Sequence, residues 1–222
     1  MEPVAPVGRP RSIARWTLLG GVIYVVLFVI GVVMLFNGSP NGSAAPTKVA
    51  NWYADSGHRD RINIGWILIG LSLFFLLWFV AGLRRAVSLV DGEGILTAVV
   101  GLGGGIYIAV AAVSVALSDG IRTMSDDTYQ HKVFPELIHA ADDATWMIHA
   151  TGALGLAAMI IAASLAFMWA GTWPTWAGWL GVVVGILSLA SVVFFPQFLF
   201  LLWILIVSIV MYMRSTPART AV

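Results

Sequence analysis

Long apolar segments separated by short polar ones dominate the chain, and their lengths predict its elements. A helical membrane span needs about 20 apolar residues, and four separate stretches meet that length. A fifth stretch, 176–213, would be nearly twice as long as the membrane is thick if it formed one straight helix, so the chain must fold back within it. Pro196 is the natural turn, because proline removes an amide donor and disfavours helix before it. The predicted spans are about 16–36, 63–83, 95–117, 144–170, 176–195 and 197–213.

The first span is expected to be retained rather than cleaved as a signal peptide. Its apolar core, 16–36, is longer than the usual signal core, and no convincing small-residue cleavage site follows it. Two longer connections, 37–62 and 118–143, then lie on one side of the membrane.

The placement of basic residues predicts the orientation, because cytoplasmic loops carry an excess of lysine and arginine. With the N-terminus in the cytoplasm, the inner side has the larger share, and four of its arginines stand at span ends. Inside lie Arg9, Arg11, Arg15, Arg84, Arg85, Arg214 and Arg219; outside lie Lys48, Arg59, Arg61, Arg122 and Lys132. Both termini are therefore predicted to be cytoplasmic, and 37–62 and 118–143 to be outer loops.

Two connections show further patterns. After a turn-rich linker, the first outer loop places Val49, Trp52 and Tyr53 on one helical side, which predicts a short helix lying at the membrane surface. The fourth and fifth spans are joined by the tight hairpin GTWPT. Tryptophans cluster there as in an interfacial aromatic belt: Trp169, Trp173, Trp176 and Trp179.

Composition narrows the class. Hydrophobic residues make up 59% of the 222 residues and charged residues 10%, whereas soluble domains carry about 25% charged residues. The sequence therefore predicts an all-α polytopic integral membrane protein whose partner is the lipid bilayer. Its net charge of +1 gives no general attraction for nucleic acid. Lysine occurs only at 48 and 132 in a chain rich in Ala, Gly and Val, a pattern typical of high-GC bacteria and hence of a bacterial cytoplasmic membrane.

The most informative polar residues run from the second outer loop into the fourth span. On a helix, His139, Asp142, Trp146 and His149 form one stripe, with Asp143 beside it. An ionisable group inside a span, such as His149, is costly and often functional. Imidazole and carboxylate ligands suit a divalent metal ion such as zinc or manganese.

Neighbouring loops could add ligands to this acidic/histidine patch. His131 lies in the same outer loop with Asp126, Asp127 and Glu136, and His58 could face it across the outer surface. A plainer interpretation also stands. Asp142 and Asp143 can complement the helix dipole, and His149 can be a polar packing residue.

Glycine pairs indicate close helix packing. Gly101 and Gly105, and Gly181 and Gly185, both have GxxxG spacing, which lets helix backbones approach within one chain or between copies. A sharper alternative is an unwound GLGGG segment that lines a transport pathway, because this run is a poor helix former.

Familiar enzyme signatures do not occur. The sequence has no cysteine, so thiolate metal sites, CxxC motifs and disulfides are excluded. HExxH, Walker A and GxSxG motifs are also missing from it. The spans contain no lysine for a retinal Schiff base.

Three segments carry a resemblance: WYADSGHRDRINIGWILIGLSLFFLLWFVAGLRR (52–85), WPTWAGWLG (173–181) and LLWILIVSIVMYMR (201–214). In these the chain resembles a broad group of uncharacterised six-helix membrane proteins of high-GC bacteria. The resemblance implies the fold and topology and brings no catalytic residue.

The leading hypothesis is a non-enzymatic multi-pass membrane protein. Its outer-face patch is expected to bind a cation, a small ligand or a protein partner. A metal-dependent membrane enzyme using His139, Asp142, Asp143 and His149 is one alternative, and a small transporter or channel is another. No cofactor is firmly implied, and a divalent metal ion is the one candidate.

Overall fold

A computed structural model describes residues 11–40, 43–123, 130, 132–190 and 198–214, with the backbone alone at 11–15. Within these residues the regular structure consists of seven α-helices, without β-strands. They are α1 (Arg11–Phe36), α2 (Pro46–Ala54), α3 (Ser56–Val87), α4 (Ile95–Arg122), α5 (Pro135–Trp169), α6 (Thr175–Leu189) and α7 (Leu199–Arg214). The prediction of an all-helical fold is confirmed over the described part.

Four of these helices, α1, α3, α4 and α5, are long and apolar enough to cross a membrane. They contain the predicted spans 16–36, 63–83, 95–117 and, apart from residue 170, 144–170. Two shorter apolar helices, α6 and α7, overlap the predicted fifth and sixth spans, and each extends one residue beyond its span, at 175 and at 214. The proposed turn at Pro196 and residues 191–195 of the fifth span lie outside the described residues.

The bundle is built from neighbouring antiparallel pairs. Helix α4 packs chiefly on α5, and α1 on α3; α3 also meets α4, α6 packs on α5, and α7 on α1. Aromatic rings fill the middle, where Tyr24, Tyr107 and Phe200 are fully or almost fully buried. Large apolar side chains such as Ile67, Leu102 and Ile186 point outward. Such outward faces suit lipid, since they cannot be buried within the chain.

Backbones approach most closely at glycines other than those expected. A Cβ on Gly155 of α5 would lie 2.6 Å from the carbonyl oxygen of Gly103 on α4. Gly104 faces Val80 and Met159, whereas a Cβ on Gly105 would meet nothing within 4 Å. Gly101 accommodates the side chain of Arg84 rather than a helix backbone. The GxxxG pair predicted on α4 therefore does not mark its interface with α5, because the 103–104 side of the helix is the one turned inward.

The GLGGG segment is regular helix, so the expectation of an unwound segment is wrong. Packing against two neighbours supplies what the glycines lack in intrinsic helix propensity. On α6 both predicted glycines lie against α5. Gly181 faces Ser164, and Gly185 faces Ile161 and the carbonyl oxygen of Ala157.

The connection from α3 to α4 is fixed by a carboxylate. Asp91 accepts hydrogen bonds from the backbone amide of Thr97 at 2.7 Å and from its hydroxyl at 2.8 Å. These donors lie in the first turn of α4, where amides have no partner within the helix. The pKa of the Asp91 carboxyl is held below its ordinary value, first by the Thr97 amide.

Candidate functional site

The end of the bundle that carries α2, called the α2 end below, gathers most of the candidate residues. Helix α2 begins with Pro46 in its first turn, where the missing amide of proline costs nothing. It packs on α3 and α5, and buries Val49 and Tyr53 against the core. The short helix predicted here is confirmed. Its buried side faces protein, because Tyr53 reaches a partner inside the bundle.

The junction of α2 with α3, residues 52–61, is called the α2–α3 corner. Asp55 caps α3 by accepting from the backbone amide of His58 at 3.0 Å. The last carbonyls of α2 are taken by side chains from α3. Arg59 Nη1 donates to Tyr53 at 2.8 Å and to Ala54 at 2.9 Å. Because these orphan carbonyls have partners, the corner is held in one geometry.

His58 completes the corner through Trp52. Its ring is stacked parallel on the Trp52 ring with centroids 4.4 Å apart. Its Nδ1 lies 3.0 Å from the Trp52 carbonyl oxygen, which can only accept. Nδ1 therefore carries the hydrogen, and Nε2 is the nitrogen left for a ligand.

A buried arginine lies beneath this corner. Arg122, at the end of α4, is 8% exposed. Its Nε donates to the Tyr53 hydroxyl at 3.0 Å, its Nη1 donates to the Ser118 carbonyl at 2.9 Å, and its Nη2 pairs with Asp142. The guanidinium also lies 5.5 Å from the ring centroid of Trp66, within cation–π range. Arg122 thus joins α2, α3, α4 and α5.

Arg122 ends a ladder of polar side chains between α4 and α5. Ser114, Ser118 and Arg122 recur every four residues, so they share one face of α4, and all three are buried. Ser114 donates to the carbonyl oxygen of Thr145 at 3.2 Å, and Ser118 shares a short hydrogen bond with the Thr145 hydroxyl. This ladder fixes the register of α4 on α5.

The electrostatics follow from burial. Burial raises the pKa of the Tyr53 hydroxyl, and the Arg122 guanidinium opposes that shift. Tyr53 is therefore neutral at physiological pH and acts as a hydrogen-bonding group. The side chain of Asp142 remains 46% exposed, so water solvates one side of the ion pair.

The predicted stripe on α5 divides between two environments. Asp142 is engaged by Arg122 and is not a free metal ligand. His139 lies one turn earlier, with Nδ1 buried and without a hydrogen-bond partner among the described residues. Asp143 is exposed.

His149 lies deeper in the bundle, where it belongs to an aromatic cluster. Its ring meets Tyr107 edge-on with centroids 5.6 Å apart. The Tyr107 and Tyr24 hydroxyls are 3.3 Å apart. Phe200 closes the cluster at 5.8 Å from Tyr107. This arrangement is that of a polar packing residue, and it separates His149 from the α2 end.

Metal ligation gains no support from the described residues, in which no three His, Asp or Glu side chains come together to hold an ion. His131, Asp126 and Asp127 lie outside the described residues, so their part in a metal site stays a prediction. His58 is engaged with Trp52 through ring stacking and through its Nδ1.

Sequence reasoning missed two arginines. It counted Arg122 as a loop charge, although the four-residue spacing from Ser114 through Ser118 could have marked it as the end of a buried stripe. It counted Arg61 only among the basic residues of the outer side. In the structure Arg61 lies 5.6 Å from the Trp52 ring centroid, with Nε and Nη2 buried and without a hydrogen-bond partner among the described residues.

Comparisons with known proteins add no further constraint: no family model, no curated protein sequence and no solved structure matches the chain. Function is therefore inferred from the chemistry of the α2 end.

Proposed function

We propose that the chain is a non-enzymatic multi-pass membrane protein whose α2 end binds a small ligand or a partner protein. The observation that carries this proposal is the preorganised α2–α3 corner. Hydrogen bonds and stacking fix its backbone and rings, while the Arg61 guanidinium edge and His58 Nε2 keep bonding capacity. A rigid surface with unsatisfied groups favours binding, because little ordering entropy is lost when a ligand arrives.

The membrane arrangement that fits this role has six spans with both termini in the cytoplasm of a bacterium. Four helices supply the long spans. At about 1.5 Å per residue, α6 and α7 rise only about 22–24 Å, so they cross about 30 Å of hydrocarbon only with the adjoining residues. Exposed Trp169 and Trp176 at the α5–α6 hairpin suit an inner interface. Arg84 and Arg85 end α3 at the same end of the bundle.

Transport has less support than binding. A pathway was expected to reach the glycines of α4, but Gly103 and Gly104 are packed against Gly155, Val80 and Met159. Two buried serines turn to their own helices: Ser72 donates to the Ile69 carbonyl and Ser188 to the Val184 carbonyl. These contacts consume polar groups that a pathway would need.

The orientation is tested by cysteine labelling, since the sequence contains no cysteine of its own. Asn51→Cys places a thiol on the exposed side of α2, and Gly92→Cys places one in the α3–α4 loop. A membrane-impermeant maleimide should label only Asn51→Cys in intact cells, and both after lysis. Labelling of Gly92→Cys in intact cells would overturn the proposed orientation.

Binding is tested by native mass spectrometry of protein released gently from its membrane. The expected spectrum contains a species of fixed added mass, which Trp52→Ala and Arg61→Gln deplete and Arg85→Gln leaves. Bare protein alone, or a species that no substitution at the α2 end reduces, would refute the binding role.

A further inference from the structure

We infer that the α2–α3 corner binds a phosphate group side-on through Arg61. This inference rests on the proposed binding role of the α2 end and names the ligand. Its starting point is a charged group whose hydrogen-bonding capacity the described protein leaves unused: Nε and Nη2 of Arg61 are both buried without a partner there.

Nε and Nη2 of Arg61 together indicate which kind of ligand would fit. In a guanidinium group, Nε–H and one Nη2–H point the same way along one edge. Two oxygens of an oxyanion accept from that edge together, which makes the contact stronger and more directional than a single bond. Arg122 shows the same use within this molecule, because its Nε and Nη2 bind Tyr53 and Asp142. On Arg61 the equivalent edge has no acceptor.

Leaving such donors buried and unsatisfied is costly. The surroundings explain how the side chain is held despite that cost. The guanidinium lies against Trp52, the ring on which His58 also stacks. Arg61 as a residue is only partly buried, so its side chain can turn this edge towards an anion while the stacked rings stay in place. His58, stacked on the same ring, is a second polar group of the corner.

The position of Arg61 selects phosphate among oxyanions. The next turns of α3 turn Ile64 and Ile67 outward, exposed by 47% and 65%. Arg61 therefore stands above an apolar strip, at the level where an interfacial arginine meets phosphate groups of a bilayer. The same chemistry would accept inorganic phosphate from solution, and the two sources differ only in whether acyl chains accompany the phosphate.

The test measures thermal stability of the full chain, purified in a phosphate-free detergent. The probes are inorganic phosphate, phosphatidylglycerol, and diacylglycerol as the lipid without phosphate. Either phosphate probe should raise the Tm of the wild type, with half-saturation weakened about tenfold or more in Arg61→Gln. Arg61→Lys should lose most of the effect despite keeping the charge, because a lysine cannot bind side-on.

Arg85→Gln is the matched control, since it removes an exposed arginine from the opposite end of α3. It should respond as the wild type does. A response to phosphatidylglycerol alone assigns a lipid headgroup, and a response to inorganic phosphate assigns a soluble ligand.

Equal shifts in wild type and Arg61→Gln, or a wild type that neither phosphate probe stabilises, would overturn the inference. Each variant is first shown to unfold cooperatively without ligand, so a folding defect is visible separately. A bound species in the native spectrum that lacks phosphorus would overturn the phosphate inference while leaving the binding role intact.

Discussion

The ion pair between Arg122 and Asp142 gives the sharpest quantitative expectation. Replacing Asp142 by asparagine keeps the shape of the side chain and removes its charge. Arg122 then stays buried, and the Tyr53 hydroxyl and the Ser118 carbonyl are among the partners that it keeps. The substitution therefore isolates what the carboxylate contributes to holding α5 against α4.

The loss of stability expected for Asp142→Asn lies between two limits. Removing one partner of a fully buried pair costs about 3–5 kcal/mol, because the other charge is stranded. Exposed pairs contribute only about 0.2–1 kcal/mol. Arg122 is 8% exposed but the Asp142 side chain is 46% exposed, so water already screens the pair. We expect Asp142→Asn to lower the free energy of unfolding by about 1–2 kcal/mol.

The assay is reversible unfolding in mixed micelles, followed by tryptophan fluorescence. Asp143→Asn is the matched control, because the neighbouring carboxylate is exposed and should change stability by less than about 0.5 kcal/mol. A double variant with Arg122→Gln should lose less than the sum of the two single losses, since both remove the same contact. Equal effects of Asp142→Asn and Asp143→Asn would refute the reasoning.

Three further outcomes are expected. Gly155→Ala should destabilise the bundle by about 1–3 kcal/mol, because its Cβ would meet the Gly103 carbonyl at 2.6 Å, whereas Gly105→Ala should be neutral or stabilising; both are measured by the same unfolding assay. Asp91→Asn should lower Tm at neutral pH. The folded-state pKa of Asp91 is depressed, so its contribution is present above about pH 4 and is lost as pH falls; a wild-type advantage that does not shrink as the pH is lowered below about 4 would contradict this. Elemental analysis of the wild type should find no stoichiometric metal bound through Asp142, and one equivalent lost in Asp142→Asn would contradict the assignment of this carboxylate to Arg122.

The apolar pattern of the sequence predicted where the long helices lie better than it predicted which residues bring them together. Apolar length placed the four long helices, because a span of that length must be helical to satisfy its backbone. The polar ends of α3, α4 and α5 were less visible. Asp55 extends α3 back to residue 56, and Pro135 starts α5 well before the predicted span at 144. These extensions depend on caps and first-turn residues, which an apolar count does not include.

Glycine spacing failed on α4 for a related reason. Gly101, Gly103, Gly104 and Gly105 together surround much of the helix, so GxxxG spacing alone does not select a face. The face is selected by α5, which brings Gly155 to Gly103. A sequence pattern on one helix therefore gives the capacity for close approach, whereas the neighbour decides where it is used.

The neighbouring helix also decides what happens to the polar stripe predicted on α5. The stripe from His139 to His149 was correctly placed on one helix, but a helical stripe extends along an axis, and about 10 Å separates residue 142 from residue 149. At the level of Asp142, α4 supplies Arg122, and at the level of His149 it supplies Tyr107. One level therefore becomes an ion pair and the other an aromatic cluster. Along the stripe the buried Nδ1 of His139 has no hydrogen-bond partner among the described residues, whereas Arg61 offers two charged donors along one edge, so an anion has more to gain at Arg61 than along the predicted stripe.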